Sequence, residues 1–296
     1  MPDRLKRRWL EQDKREGMAM EQGQTAERTS ITTAMNFVRD KSGAGSFSNL
    51  NPELTTLKLA SSQVEIHDAR GLAKAPSFAQ EGFEIHDLPM PGANFFDMDW
   101  VRNVYGPRTL EFVKQLVNAD HIASFHAGMF FRDTGKMLDT LDTPLRGKAA
   151  DFVHMDYTRA SVMPFVREAV DAETLERFPH VKIFNVWRSL TPPPQDVGLA
   201  FCDQRTLDRD DWVFGQTVEK NFPQGVPFLT GVFNPAQKWH YYSAMSQDEV
   251  VIFKGCDTDE AAPVGCMHGA FVHPDPGHVT VPRASIEFRV IALFKD

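Results

Sequence analysis

Pro282-Arg-Ala-Ser-Ile-Glu-Phe-Arg-Val-Ile-Ala-Leu-Phe294 alternates between two kinds of side chain, and the alternation predicts a strand with two unlike faces. Ile286, Phe288, Val290, Ala292 and Phe294 fall on one face, while Arg283, Ser285, Glu287 and Arg289 fall on the other. If the charged face lines the inside of a barrel, its arginines need an anion, because an unpaired buried guanidinium is costly. Upstream, short strand-like runs stand at 181–187, 197–202, 213–218, 239–244 and 250–254, bounded by Pro, Gly and Asp. Six such strands predict an antiparallel sandwich or barrel. The expected fold is mainly β with outer helices, built on a double-stranded β-helix core of the jelly-roll or cupin type. Thr191-Pro-Pro-Pro-Gln195 reads as a stiff connection between strands, since alternation resumes at once.

The earlier chain is less regular. Residues 64–68 and 83–88 alternate as strands, and residues 41–46, rich in Gly and Ser, read as a loop. Residues 107–118 predict a helix with Pro107 in its first turn and an apolar stripe of Leu110, Val113, Leu116 and Val117. A second helical region is expected over 162–172, with Pro164 in its first turn, followed by 175–178. Residues 1–30, with few aromatics and many Lys, Arg, Glu and Gln, are expected to be a flexible or loosely packed extension. Residues 31–296 are expected to form one domain with helical additions.

Composition narrows the function. A net charge of −8 provides no basic footprint for nucleic acid or an anionic membrane surface. No run approaches the roughly 18 apolar residues of a membrane span, and the first thirty residues lack the apolar centre of a secretory signal. The expectation is a cytoplasmic protein with a small-molecule partner; a homo-oligomer is compatible with this. Cys202, Cys256 and Cys266 form no CxxC pair, which argues against a disulfide framework or a thiolate zinc site, and Cys256 and Cys266 read as small core or loop residues.

Val153-His-Met-Asp156 sets an imidazole and a carboxylate two residues apart, on one face of a strand, where both can reach one ion. Two His and one carboxylate, with the remaining positions open, are what a non-haem iron(II) oxygenase requires. The spacing alone is weak: with ten His and forty acidic residues, roughly one match arises by chance. A second match, His273-Pro-Asp275, lies in a Gly/Pro-rich loop with little chain after it, so His154 and Asp156 are preferred. Downstream candidates for the distant His are His180, His240, His268, His273 and His278. His268 is favoured by the strand fifteen residues beyond it, where Arg283 and Ser285 share a face and could grip a carboxylate by a fork and an added hydroxyl. Arg289 is the alternative anchor.

Six blocks carry a resemblance: Val153-His-Met-Asp-Tyr-Thr158, Phe184-Asn-Val-Trp-Arg188, Leu199-Ala-Phe-Cys-Asp203, Trp239-His-Tyr-Tyr242, Asp248-Glu-Val-Val-Ile-Phe-Lys254 and Pro282-Arg-Ala-Ser-Ile-Glu-Phe-Arg289. In this order they resemble the AsaB-like hydroxylase/desaturases of the CmcJ/NvfI type, a family of the iron(II)/2-oxoglutarate-dependent oxygenases. The resemblance covers about residues 95–296, and residues 1–90 match no family we can name. It departs from the family pattern at Ser189 and Met267, where proline is usual.

The resemblance implies a jelly roll binding Fe(II), with 2-oxoglutarate as cosubstrate and O2 as oxidant. It also implies decarboxylation to succinate and hydroxylation or desaturation of an aliphatic carbon in a small, secondary metabolite. His154, Asp156 and His268 are then the metal ligands, and Arg283 with Ser285 the 2-oxoglutarate site, with Arg289 and Arg188 as further candidates. Asn185 and Tyr241 are candidate substrate or cosubstrate contacts, although Tyr241 and Tyr242 have opposite parity and only one can point inward. Two other readings stay open: a cupin-like metalloenzyme using His240, His268 and His273 without an oxoacid, and a jelly-roll binding module without catalysis.

Overall fold

The computed structural model describes residues 30–42, 45–141, 143, 146–148, 150–220, 222–274 and 280–295. The expected N-terminal extension lies outside them except for Ser30, as do Asp275 of the second His-x-Asp pair and His278. Along the described chain run β1 (Ser30–Val38), β2 (Gly45–Phe47), β3 (Leu59–Asp68), β4 (Phe83–Asp87), β5 (His121–Asp133), β6 (Arg146–Gly147), β7 (His154–Met155) and β8 (His180–Ser189). They are followed by β9 (Val197–Cys202), β10 (Trp212–Glu219), β11 (Phe222–Gly231), β12 (Trp239–Tyr241), β13 (Glu249–Asp257), β14 (His268–Val272) and β15 (Ala284–Phe294). One sheet has the order β4-β13-β8-β15-β5-β6 and the other β1-β3-β12-β9-β14-β7-β11-β10-β2, giving the two faces of a jelly roll.

The parity read from the last strand places both cores. β15 lies between β8 and β5, antiparallel to each, with Ser285 opposite Ser189 and Arg289 opposite Asn185. Ile286, Phe288, Val290 and Ala292 bury outward with Phe184, Val186, Val250 and Ile252. Helix α1 (Gly106–Val117) covers that face through Val113 and stops where Asn118 turns left-handed at φ 52. The inward faces of the two sheets meet around Phe83, Trp187, Phe201, Tyr242, Phe253 and Cys266. At one end of the barrel, α2 (Arg159–Ala169) packs Val162 and Val166 against Phe125, Ile291 and Leu293. A short α3 (Ala172–Arg177) follows it.

Two readings are corrected. Helix α2 begins a turn earlier than expected, because the Thr158 hydroxyl accepts from the Ser161 backbone and the Ser161 hydroxyl accepts from that of Thr158. Pro164 therefore sits inside the helix, not in its first turn. The long β5 and the Pro-bearing β11 were not anticipated.

The nine-stranded sheet curls back on itself: the amide of Val153 donates to the carbonyl of Asn36 in β1, at 2.8 Å. That curl encloses Met35, Phe37, Val153, Met155, Trp239, Tyr241 and Phe271 behind β7 and β14, on the face opposite His154 and His268. Among the described residues no helix is long and apolar enough to cross a membrane.

Candidate metal centre

β7 is only two residues long, yet it is wedged between β14 and β11, with His154 opposite both His268 and Thr230. Direct opposition of two inward-facing residues on neighbouring strands brings their rings together, and the centroids are 4.5 Å apart. Asp156, two residues on, turns to the same side: its Oδ1 lies 3.7 Å from Nε2 of His154. One donor atom from each of His154, Asp156 and His268 falls within 4.8 Å of the others, the sole such group of three among the described residues.

The protonation of the triad suits a metal. Nδ1 of His154 is 2.9 Å from the Phe152 carbonyl, and Nδ1 of His268 is 3.1 Å from the Cys266 carbonyl. A carbonyl only accepts, so both Nδ1 atoms carry the proton and both Nε2 lone pairs face the shared space. Burial pushes His154 down to about 4, and the neighbouring His268 adds to that effect. Burial lowers His268 as well. Both rings are therefore neutral near pH 7, the form a metal accepts. For Asp156, burial raises the pKa, but Arg289, then the two imidazoles and Asn185, outweigh it and hold the carboxyl well below the usual range.

The carboxylate is gripped on both oxygens. Asn185 donates to Oδ2 at 2.5 Å and Arg289 to Oδ1 at 3.0 Å. Arg289 also donates to the Tyr157 hydroxyl at 2.8 Å and to Glu287 at 3.0 Å. With its three nitrogens thus engaged, Arg289 is not available as the 2-oxoglutarate anchor, which corrects that expectation. Asn185 reaches Asp156, where a contact to substrate or cosubstrate had been expected.

Arg188 and Tyr241 are corrected outright. Arg188 lies three residues from Asn185 on one strand, so it faces the opposite way. Its guanidinium donates to the carbonyls of Leu88 and Gln247, and lies 5.9 Å and 5.6 Å from the ring centroids of Phe95 and Tyr105. It ties β8 to neighbouring turns, away from the triad. Tyr241 packs against Phe271 in the cluster behind β14, and Tyr242 is the one that shares the inward core. The cupin-like cluster is not assembled either: His240 stands beside His67 and Phe83, apart from His268.

Arg283 is buried on the inward face, in line with Arg289. Its Nη1 donates to the Gly198 carbonyl at 3.1 Å, and its Nε finds no acceptor. Among the described residues no carboxylate pairs with it, and burial pushes its pKa down to about 10. Ser285 lies one step along the same face, its hydroxyl 3.5 Å from the Arg132 carbonyl.

Beside the triad opens a cavity of about 310 Å³ that His154, Asp156 and Arg289 help to line. Its walls are mainly aromatic, among them Phe125, Phe130, Phe152, Tyr157, Phe165 and Phe228, and Arg132 and Glu168 supply further charges. These residues were not singled out in the sequence. The alternation Phe130-x-Arg132 on β5 was the one signal that could have found two of them.

Comparison with known proteins decides the family. The model of the oxidoreductase/YMDC permease-like domain matches residues 35–293. The chain belongs to this family. The oxidoreductase is 28% identical over 239 residues to the Fe(II)/2-oxoglutarate-dependent dioxygenase nvfI of Aspergillus novofumigatus, covering 78% of this chain and 83% of that one. It is 32% identical over 153 residues to the hydroxylase/desaturase asaB of Aspergillus flavus, covering 47% and 66% respectively. Among solved structures, the iron and alpha-ketoglutarate-dependent endoperoxidase NvfI superposes with a TM-score of 0.77 at 26% identity, over 90% of this chain and 99% of that one. The AsaB-like resemblance and the jelly-roll core are borne out by these relatives, and the family match from residue 35 corrects the reading that the resemblance starts near residue 95.

Proposed function

We propose that this oxidoreductase is an Fe(II)/2-oxoglutarate-dependent oxygenase that hydroxylates or desaturates an aliphatic carbon of a small secondary metabolite. The observation that carries this is the convergence of two Nε2 lone pairs and one ionised carboxylate beside an aromatic cavity. His154, Asp156 and His268 would hold iron(II), a donor set that suits this metal and leaves half of an octahedron free. When bound, iron(II) with 2-oxoglutarate and dioxygen supplies an oxidant able to take a hydrogen atom from an unactivated carbon, as the oxoacid is converted to succinate and carbon dioxide.

The chain's own residues orient and shield. The Phe152 and Cys266 carbonyls fix both imidazole tautomers, and Asn185 and Arg289 fix the carboxylate. Arg283, with Ser285 beside it, is the residue for the distal carboxylate of 2-oxoglutarate, because it is a buried cation with no carboxylate partner of its own. Gly198, whose carbonyl it touches, lies three residues before Phe201, the register partner of His268. At about 3.3 Å per residue, that spacing of roughly 10 Å suits a five-carbon dicarboxylate lying between metal and guanidinium. The aromatic wall excludes water and presents the substrate's apolar body to the triad. The net charge of −8 supports a small-molecule partner over a polyanion, and the three free, buried cysteines support a reducing cytoplasm.

Anaerobic titration with iron(II) and 2-oxoglutarate tests the reading. The chelated oxoacid is expected to give a weak visible charge-transfer band in the wild type and none in His154→Ala. No band in the wild type, or an undiminished one in the variant, refutes it.

A further inference from the structure

The cavity beside the triad holds a cation to which the proposed reaction gives no role. Register sets Arg132 of β5 opposite Ser285, and Phe130 opposite Glu287, so both join the inward face that carries Arg289. The two arginines differ in what they meet. Arg289 is saturated by Asp156, Tyr157 and Glu287. Arg132 lies 5.5 Å from the ring centroid of Phe130, and among the described residues its guanidinium has no hydrogen bond and no ion pair. The carboxylates within electrostatic reach, Glu287 and Asp156, are already held by Arg289, and burial pushes the Arg132 pKa down. Gly147 is its register partner on β6, and a Cβ there would stand 3.2 Å from Nη1.

A partly buried cation without a partner is costly, and a guanidinium fork is shaped for a carboxylate. The remaining wall is mainly apolar, with Phe125, Phe152, Phe165 and Phe228, and carries Asn49, Glu168 and Thr217 as its polar members; the phenylalanines suit an apolar body. We propose that Arg132 binds substrate, and that the substrate is an apolar small molecule bearing a carboxylate. The carboxylate sits on Arg132 and the apolar body lies along the phenylalanines beside the triad. The proposal rests on the oxygenase reading, in which Arg283 takes the 2-oxoglutarate carboxylate and leaves Arg132 to the substrate.

Calorimetry tests it with 2-naphthylacetate and its neutral isostere 2-naphthylacetamide, on the full chain with iron(II) and 2-oxoglutarate under argon and again without them. The wild type is expected to bind the acid at least about ten-fold more tightly than the amide, the size of one charge-assisted hydrogen bond. Arg132→Gln is expected to erase that preference and leave the charge-transfer band and its 2-oxoglutarate dependence unchanged, and Arg132→Lys to keep part of it. Equal binding of acid and amide by the wild type, or binding of neither, overturns the proposal. A band weakened in Arg132→Gln also overturns it, since the guanidinium would then belong to 2-oxoglutarate. A wild type that prefers the acid but gives no band keeps the anion site and retires the oxygenase reading; a band without the preference does the reverse.

Discussion

Replacing Arg289 with methionine keeps much of the side-chain volume and removes a mostly buried charge, 16% exposed, that three groups share. Asp156 loses a 3.0 Å ion pair, Glu287 loses its 3.0 Å partner, and the Tyr157 hydroxyl loses a donor at 2.8 Å. Breaking a buried pair by deleting one member costs about 3–5 kcal/mol, because a charge is left without compensation. At about 2–4 °C per kcal/mol for a chain of this size, the metal-free Arg289→Met variant should melt roughly 6–20 °C lower. Asp156→Asn should cost less, since Arg289 keeps Glu287 and Tyr157. The double variant should be less destabilised than the sum of the singles by about 1–3 kcal/mol, the coupling expected of residues in contact. Differential scanning calorimetry on the four proteins without metal measures this. Additive effects, or an Arg289→Met variant that melts with the wild type, would refute the argument that this arginine compensates the buried carboxylates.

Asn185→Ala should leave the fold intact and weaken iron(II) binding about 10- to 100-fold, since it removes the donor to Oδ2 of Asp156; anaerobic metal titration reads this. Arg188→Met should do the opposite, lowering the melting temperature by stranding the Leu88 and Gln247 carbonyls at about 1–3 kcal/mol each, with 2-oxoglutarate affinity unchanged. Gly231→Ala should destabilise by about 1–3 kcal/mol, because its Cβ would meet Val153 at 2.4 Å and Met267 at 3.1 Å behind the triad; calorimetry of the purified variant checks it.

What could be read in the sequence was what depends on parity within one strand. The two faces of β15 come from the period of two and need no partner, so Arg283, Ser285, Glu287 and Arg289 were placed on one side correctly. The same rule, applied to β8, separates Asn185 from Arg188, so that only one of the two can face the triad. The placing of Tyr241 turns on strand pairing. Parity says that Tyr241 and Tyr242 diverge, but which one points inward depends on β12 pairing with β9 and β3, a long-range choice with no local signal. The start of α2 was legible in Thr158 and Ser161, whose reciprocal bonds outrank the proline as a marker. Arg132 was missed along with β5, a strand whose mixed polar and apolar residues hide its period. The role of Arg289 was beyond the sequence for the same reason: its carboxylate partner, 133 residues away, is brought to it only by the closing of the two sheets.

The central claim is that His154, Asp156 and His268 share one ion, and anomalous diffraction from crystals grown anaerobically with iron(II) addresses it most directly. One iron peak in coordination with Nε2 of both imidazoles and a carboxylate oxygen of Asp156 is the expected result. A peak at another histidine, such as His240 or His67, with the space between these three side chains empty, would contradict the account.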